Sequence, residues 1–176
     1  MVNGTNMMEE ALENTAEITF RRVTSANVSE VCELSETLSD QQREFVADNG
    51  TSLAEGFCSE SAWFRAIYAD ECLVGFVMLH EGSDWDDGID CPGPYLWRFM
   101  IARPFQGRGF GRRAIAGIAD RLRARGIREL YTSFGLGAGG PQKFYEKLGF
   151  VPTGGMFDEE VEVVLALESP RGERVS

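Results

Sequence analysis

The chain has 176 residues, 43% hydrophobic and 26% charged, and its 17 basic and 28 acidic residues leave a net charge of −11. That length suits one domain with a core of its own, and the composition excludes wholesale disorder. So negative a chain is a poor partner for nucleic acid, and its apolar runs are too short to cross a bilayer.

Residues 1 to 17 are polar and acidic, with neither a basic start nor an apolar stretch, so they do not read as a signal peptide, and a cytoplasmic protein is expected. Residues 1–15 are expected to be a flexible leader, 16–168 a single domain and 169–176 a frayed tail. Ile18, Phe20 and Val23 suggest a short strand. Ser25 or Asn27 is placed to cap a helix whose apolar face is Val28, Val31, Cys32 and Leu34. A second short helix is expected over 40–47, with the Asn49-Gly50 turn signal ending it. Two apolar runs, 63–68 and 73–79, flank Asp70-Glu71 and predict a β-hairpin. A polar loop follows over 81–93, then a strong strand over 95–102, stopped by Pro104.

After a glycine-rich stretch at 106–111, Phe110, Ala114, Ile115, Ile118 and Leu122 recur at helical spacing to about residue 125, where Gly126 offers a stop. Residues 127–133 read as another strand. Strand, glycine loop, helix and strand make a βαβ unit, which implies locally parallel strands. A short helix is expected over 141–148 before Gly149, with final strands near Phe150-Val151 and over 160–167. The whole reads as one α/β domain with a mixed central sheet.

Cys32, Cys58, Cys72 and Cys91 form no C-x-x-C pair and read as reduced thiols. His80 is the single histidine, so no metal site is expected. Charge is unevenly spread: 19 acidic and 4 basic residues precede residue 91, whereas 103–128 holds eight arginines and one acid, Asp120. Some of those arginines decorate a solvated helix face. The rest suggest an anion site in a protein that otherwise repels anions.

That site is Gln106-Gly107-Arg108-Gly109-Phe110-Gly111-Arg112-Arg113. Glycines between a strand and a helix let several N–H groups face one point, and the helix start adds unpaired donors and the positive end of its dipole, a setting for phosphate. A P-loop needs Lys then Ser or Thr after the last glycine, and Arg112-Arg113 stand there instead. Gly109-Phe110-Gly111-Arg112-Arg113-Ala114 matches a dinucleotide fingerprint, with Glu129 near the expected acidic position, but too few strands follow for a doubly wound fold. A plain glycine turn is the bland alternative.

Gln106-x-x-Gly109-x-Gly111 resembles the Q/R-x-x-G-x-G/A signature of GNAT N-acetyltransferases. Phe144-Tyr145-Glu146-Lys147-Leu148-Gly149-Phe150 resembles a motif near that superfamily's C-terminus, and the two are correctly ordered and spaced. The resemblance covers residues 17–167 and implies the GNAT fold, a mixed sheet of about six to seven strands flanked by helices. It implies acetyl-CoA as cosubstrate, with its pantetheine arm along Phe99, Met100 and Ile101 and its pyrophosphate on Gln106, Gly107, Arg108, Gly109, Phe110, Gly111 and Arg112. Tyr145 is implied as general acid for the departing thiolate. Its bland alternative is an aromatic packing residue. One departure stands out: the family's asparagine seven residues before the tyrosine is Ala138 here.

Leu96-Trp97-Arg98-Phe99-Met100-Ile101 and Pro152-Thr153-Gly154 look like the bacterial diamine and spermidine acetyltransferases. The general base is not identified. Tyr95 stands roughly where some relatives carry a glutamate, and Glu81, Asp84, Asp86, Asp87 and Asp90 are the candidates. The acidic N-terminal half is expected to supply most of the acceptor pocket, which favours a small cationic amine such as a polyamine. Acetylation of a protein N-terminus or lysine, and a non-catalytic acyl-CoA-binding regulator, are the alternatives. A homodimer is expected by analogy with the superfamily.

Overall fold

The computed structural model describes residues 12–82 and 88–167. Strand β1 (Ile18–Arg21) leads to helix α1 (Val28–Glu33), a 3₁₀ turn (Leu34–Thr37), and helices α2 (Asp40–Arg43) and α3 (Asn49–Cys58). Strands β2 (Ala62–Ala69), β3 (Cys72–His80) and β4 (Tyr95–Ile101) follow, then helix α4 (Phe110–Ala124), strand β5 (Glu129–Phe134), helix α5 (Gln142–Leu148), and strands β6 (Val151–Phe157) and β7 (Glu160–Ala166). The strands form one sheet in the order β1-β2-β3-β4-β5-β7-β6. All neighbours run antiparallel except β4 and β5, which the α4 crossover makes parallel. This is the mixed, helix-flanked sheet expected, with seven strands.

Local chemistry explains most boundaries. Asp70, at φ 52, and Glu71 turn the β2–β3 hairpin; aspartate tolerates that left-handed backbone better than most residues do. Ser39 and Gln42 form a reciprocal capping box on α2. Helix α4 buries Phe110, Ala114, Ile115, Ile118, Ala119 and Leu122, the face read from spacing.

Two expectations fail. Asn49-Gly50 does not end a helix; it begins α3. The Asp48 carboxylate caps that helix by accepting the Thr51 amide at 2.9 Å, and Asn49 turns inward to donate to the Val31 carbonyl at 2.7 Å. A tertiary contact overrides the turn propensity of the pair. Strand β6 runs to Phe157, well past Phe150-Val151, because pairing with β7 carries it through Gly154 and Gly155 across a register shift.

The core lies on the two faces of the sheet, with Phe76, Met78, Ile67, Phe110, Ile118 and Leu130 among its fully buried side chains. A smaller cluster of Ile89, Cys91, Tyr95 and Tyr131 sits near the start of β4. Burial pushes the Cys91 thiol up to about 11. His80 is buried at the end of β3, edge-on to Trp97 at 5.5 Å. Among the described residues no helix is long and apolar enough to cross a membrane, and no group of three or more candidate ligands is placed to hold a metal.

Gly75 pairs with Ile101, the last residue of β4, and a Cβ there would stand 2.4 Å from the Met100 carbonyl oxygen. Gly75→Ala is therefore expected to push the end of β4 out of register and to destabilise the fold by about 1–3 kcal/mol, the range for overpacking. Chemical denaturation measures it, and an unchanged midpoint contradicts it.

Candidate active site

Although β4 and β5 are neighbours, their register extends over one pair, Tyr95 with Tyr131. The Tyr131 amide donates to the Pro94 carbonyl at 2.9 Å, and the Thr132 hydroxyl to the Leu96 carbonyl at 3.0 Å. Beyond these bonds the strands part. The β5-facing edge of Phe99, Met100 and Ile101 has no ladder partner from β5 and lines a cleft of about 510 Å³. An open strand edge of this kind offers main-chain donors and acceptors to an extended ligand.

The start of α4 closes one end. Gly107 (φ 74) and Gly109 (φ 82) take left-handed backbone that other residues adopt only at a cost, and Gly109 caps the helix. The first amides of α4 have no intrahelical acceptor, so this end of the cleft is rich in N–H groups. Gly111 lies under Phe144, where a Cβ would come within 3.2 Å of the ring. Gln106 ties the loop down: its amide nitrogen donates to the Ile101 carbonyl at 2.8 Å, and its oxygen accepts from the Gln42 side chain at 2.9 Å. The charged side chains on the walls are Arg112 and Lys147, with no carboxylate among the lining residues described.

Of the expected site residues, Phe99, Met100, Ile101, Gln106, Gly107, Gly109, Gly111, Arg112 and Tyr145 all line this one cleft. Arg108 and Phe110 do not. The Phe110 ring is fully buried, edge-on to Phe105 at 6.4 Å. The Arg108 guanidinium turns the other way, donating to the Leu12 carbonyl and to the Asn14 side chain at 3.4 Å. Arg113 donates to the Ala16 carbonyl. The arginine cluster therefore divides: Arg112 faces the cleft, while Arg108 and Arg113 hold the chain leading into β1.

Tyr145 is 7% exposed. Its ring stacks on Phe134 at 5.6 Å and meets Phe150 edge-on at 5.2 Å. Burial drives its phenol well above the ordinary tyrosine range, against a hydrogen bond with Thr132 that pulls it down. It thus carries its proton at neutral pH, as an acid must.

The acidity expected of the N-terminal half is not among the described residues that line this cleft. The N-terminal half contributes Leu38, Gln42, Phe45 and Val46 to the cleft, none of them charged. Glu81 is bound by Arg125 at 2.6 and 2.8 Å and lies outside the lining. Asp90 also lies outside it, and Asp84, Asp86 and Asp87 fall outside the described residues. Phe45 packs against the glycine-rich run after β5: a Cβ on Gly137 or Gly140 would come 3.0 or 3.1 Å from its ring. Those glycines make room for Phe45.

Sequence reasoning missed a hydrogen-bonded chain at the same opening. Ser133, which lines the cleft, donates to the Glu160 carboxylate on β7, and Tyr95 meets the Ser133 hydroxyl at 2.5 Å. Because a carboxylate only accepts, Ser133 uses its proton on Glu160, and Tyr95 donates to Ser133. Burial pushes the Tyr95 phenol up to about 12, with the Ser133 bond opposing. The only trace in the sequence is the alternation Glu160-Val161-Glu162, which puts both acids on one face of a strand without saying what that face meets.

Comparison with known proteins agrees with this architecture. The chain resembles, in structure, an acetyltransferase from Thermus thermophilus (21% identity, 85% of this chain and 96% of that one, TM-score 0.62). It also resembles the PaiA N-acetyltransferase of Thermoplasma acidophilum, solved with coenzyme A (16%, 85% and 99%, TM-score 0.58). A third is the Salmonella typhimurium acetyltransferase that modifies the N-terminal serine of ribosomal protein L7/L12 (11%, 88% and 96%, TM-score 0.67). No curated protein matches the sequence. The model of the acetyltransferase (GNAT) family matches residues 31–150, well over half of the chain. The chain therefore belongs to the GNAT family and is an acetyl-CoA-dependent N-acetyltransferase.

Proposed function

We propose that this enzyme acetylates a small cationic primary amine, of the diamine and polyamine class, in the cytoplasm. The observation that carries the reading is the parting of β4 and β5 around a buried, protonated Tyr145. Acetyl-CoA supplies an activated acyl group on a thiol leaving group. The residues around the cleft fit such a ligand: an open strand edge for an amide-bearing arm, an N–H-rich helix start for a pyrophosphate, Arg112 and Lys147 for its charge, and no lining carboxylate to repel it.

In this reading Phe99, Met100 and Ile101 hold the pantetheine arm through main-chain bonds and orient the thioester. One of their N–H groups stabilises charge on the carbonyl oxygen. The amides of Gln106, Gly107, Gly109 and Gly111 hold the pyrophosphate beside Arg112. Arg108 and Phe110 take part only through the backbone, because their side chains are engaged elsewhere. The Tyr145 hydroxyl gives its proton to the leaving sulfur. A net charge of −11 draws a cationic acceptor and repels an anionic one. The likeness of residues 96–101 and 152–154 to diamine and spermidine acetyltransferases points the same way.

Thiol release from acetyl-CoA, measured over a panel of spermidine, spermine, short diamines, amino acids and a lysine peptide, tests the acceptor. Turnover is expected with the polyamines; turnover confined to the peptide or to an anionic acceptor overturns the assignment. Tyr145→Phe is expected to lower kcat about 100-fold or more, within the usual range for a general acid, while the Kd for CoA holds. An unchanged rate removes that role.

The two arginines separate cleanly. Arg112→Ala is expected to weaken CoA binding about tenfold, equivalent to about 1.4 kcal/mol. Arg108→Ala is expected to leave CoA binding within about twofold and instead to lower Tm, since it frees the chain at 12–16. Titration calorimetry and thermal melting distinguish them; the opposite pattern overturns the division.

A further inference from the structure

Phe134 faces α5, where it stacks on Tyr145. Successive side chains of a strand point to opposite faces, so Ser133 projects from the other side of the sheet. Both nevertheless line the cleft, because the gap between β4 and β5 passes through the sheet. The proton donor for the leaving group thus stands on one side of the opening, and the Ser133 hydroxyl on the other. Behind Ser133 lies the Glu160 carboxylate, partly exposed beside the two-residue turn between β6 and β7.

We infer that Ser133 and Glu160 form the proton relay that deprotonates the acceptor amine, with Tyr95 holding Ser133 in place. The inference rests on the proposed acetylation of a cationic amine and names the base which that reading needs. The Ser133 oxygen accepts from Tyr95 and donates to Glu160, which leaves it one lone pair. That lone pair receives an N–H of the incoming ammonium.

The proton balance closes. One ammonium proton passes to Ser133 Oγ as the Ser133 proton passes to Glu160, which releases it to solvent. The freed nitrogen lone pair forms the C–N bond, and the C–S bond breaks with its pair on sulfur. Sulfur takes the Tyr145 proton, and the second proton lost by nitrogen restores Tyr145. The products are the N-acetyl amine, the free thiol and one proton.

Several charged and titratable groups lie near Glu160. Strand β4 brings Tyr95, whose own neighbour Arg98 is bound to Glu55 of α3 at 2.9 Å. Strand β5 brings Ser133 and α5 brings Tyr145, Glu162 follows two residues along β7 and itself faces Cys91 and Tyr131, and the β6–β7 turn adds Asp158 and Glu159. No cation is paired with Glu160 among the described contacts, which leaves its charge for the amine.

The test is kcat and KM for Glu160→Gln, Ser133→Ala and Ser133→Thr, from pH 6 to 10, with two amines. One is spermidine, whose nitrogens titrate near the lysine value of about 10. The other is a fluorinated primary amine, basic only below neutrality. With spermidine at pH 7, Glu160→Gln and Ser133→Ala are expected to lose about 100-fold in kcat. The loss shrinks as pH rises toward the amine's own pKa, and it is absent with the fluorinated amine, which arrives neutral. Ser133→Thr, which keeps the hydroxyl, restores most of the rate. Unaltered CoA binding in each variant shows that the cleft is intact.

A Glu160→Gln rate equal to wild type overturns the relay, as does a loss independent of pH and amine basicity, or one confined to KM. Wild-type enzyme that turns over none of the amines overturns the acceptor reading beneath it, and the relay with it. Active wild type with an indifferent Glu160→Gln overturns the relay alone.

Discussion

The site depends on where β4 and β5 stop pairing. Parallel neighbours normally continue their ladder, and an unpaired strand edge inside a protein is costly unless something satisfies its amides and carbonyls. Here the ladder ends at Tyr95 and Tyr131, reinforced by the Thr132 hydroxyl on the Leu96 carbonyl. The edge beyond it faces a cleft, where its main-chain donors and acceptors are open to a ligand. The same parting lets groups on opposite faces of the sheet address one point: Tyr145 from the α5 side, Ser133 from the other.

Around that opening the protein sorts its charge. An overall excess of acid coexists with a cleft whose described walls carry Arg112 and Lys147. Five other arginines of the basic stretch are committed elsewhere. Arg108 and Arg113 bind carbonyls of the chain before β1, Arg123 pairs with Asp120, Arg125 with Glu81, and Arg121 lies over the Trp63 ring at 4.7 Å. Most of the cluster is therefore scaffold. Exposed pairs of this kind contribute little stability each, but they hold those guanidinium groups away from the cleft.

The small residues after β5 show how packing sets a motif's content. Phe45, from the segment after α2, fills the space over Gly135, Gly137 and Gly140 and also forms a wall of the cleft. With the ring so close, a larger side chain on the run displaces it. Gln106 makes the complementary link, joining the β4 end to Gln42 of α2. The α2 region is thereby part of the site, although nothing in its own sequence carries chemistry.

What the sequence by itself determined is local. The helical spacing of α4, the hairpin at Asp70-Glu71 and the glycine loop before the crossover helix were legible, because period and turn chemistry act over a few residues. The two motifs identified the family, and nine of the eleven residues expected at the site line one cleft. Helix α3 escaped because Asn49 is held by a distant carbonyl, and β6 escaped because its glycines are overruled by pairing with β7. The fate of each arginine and the meeting of Tyr95, Ser133 and Glu160 were decided by tertiary structure alone. Those contacts join residues up to 97 positions apart, and no short-range pattern records which strand face or loop will lie opposite a given side chain.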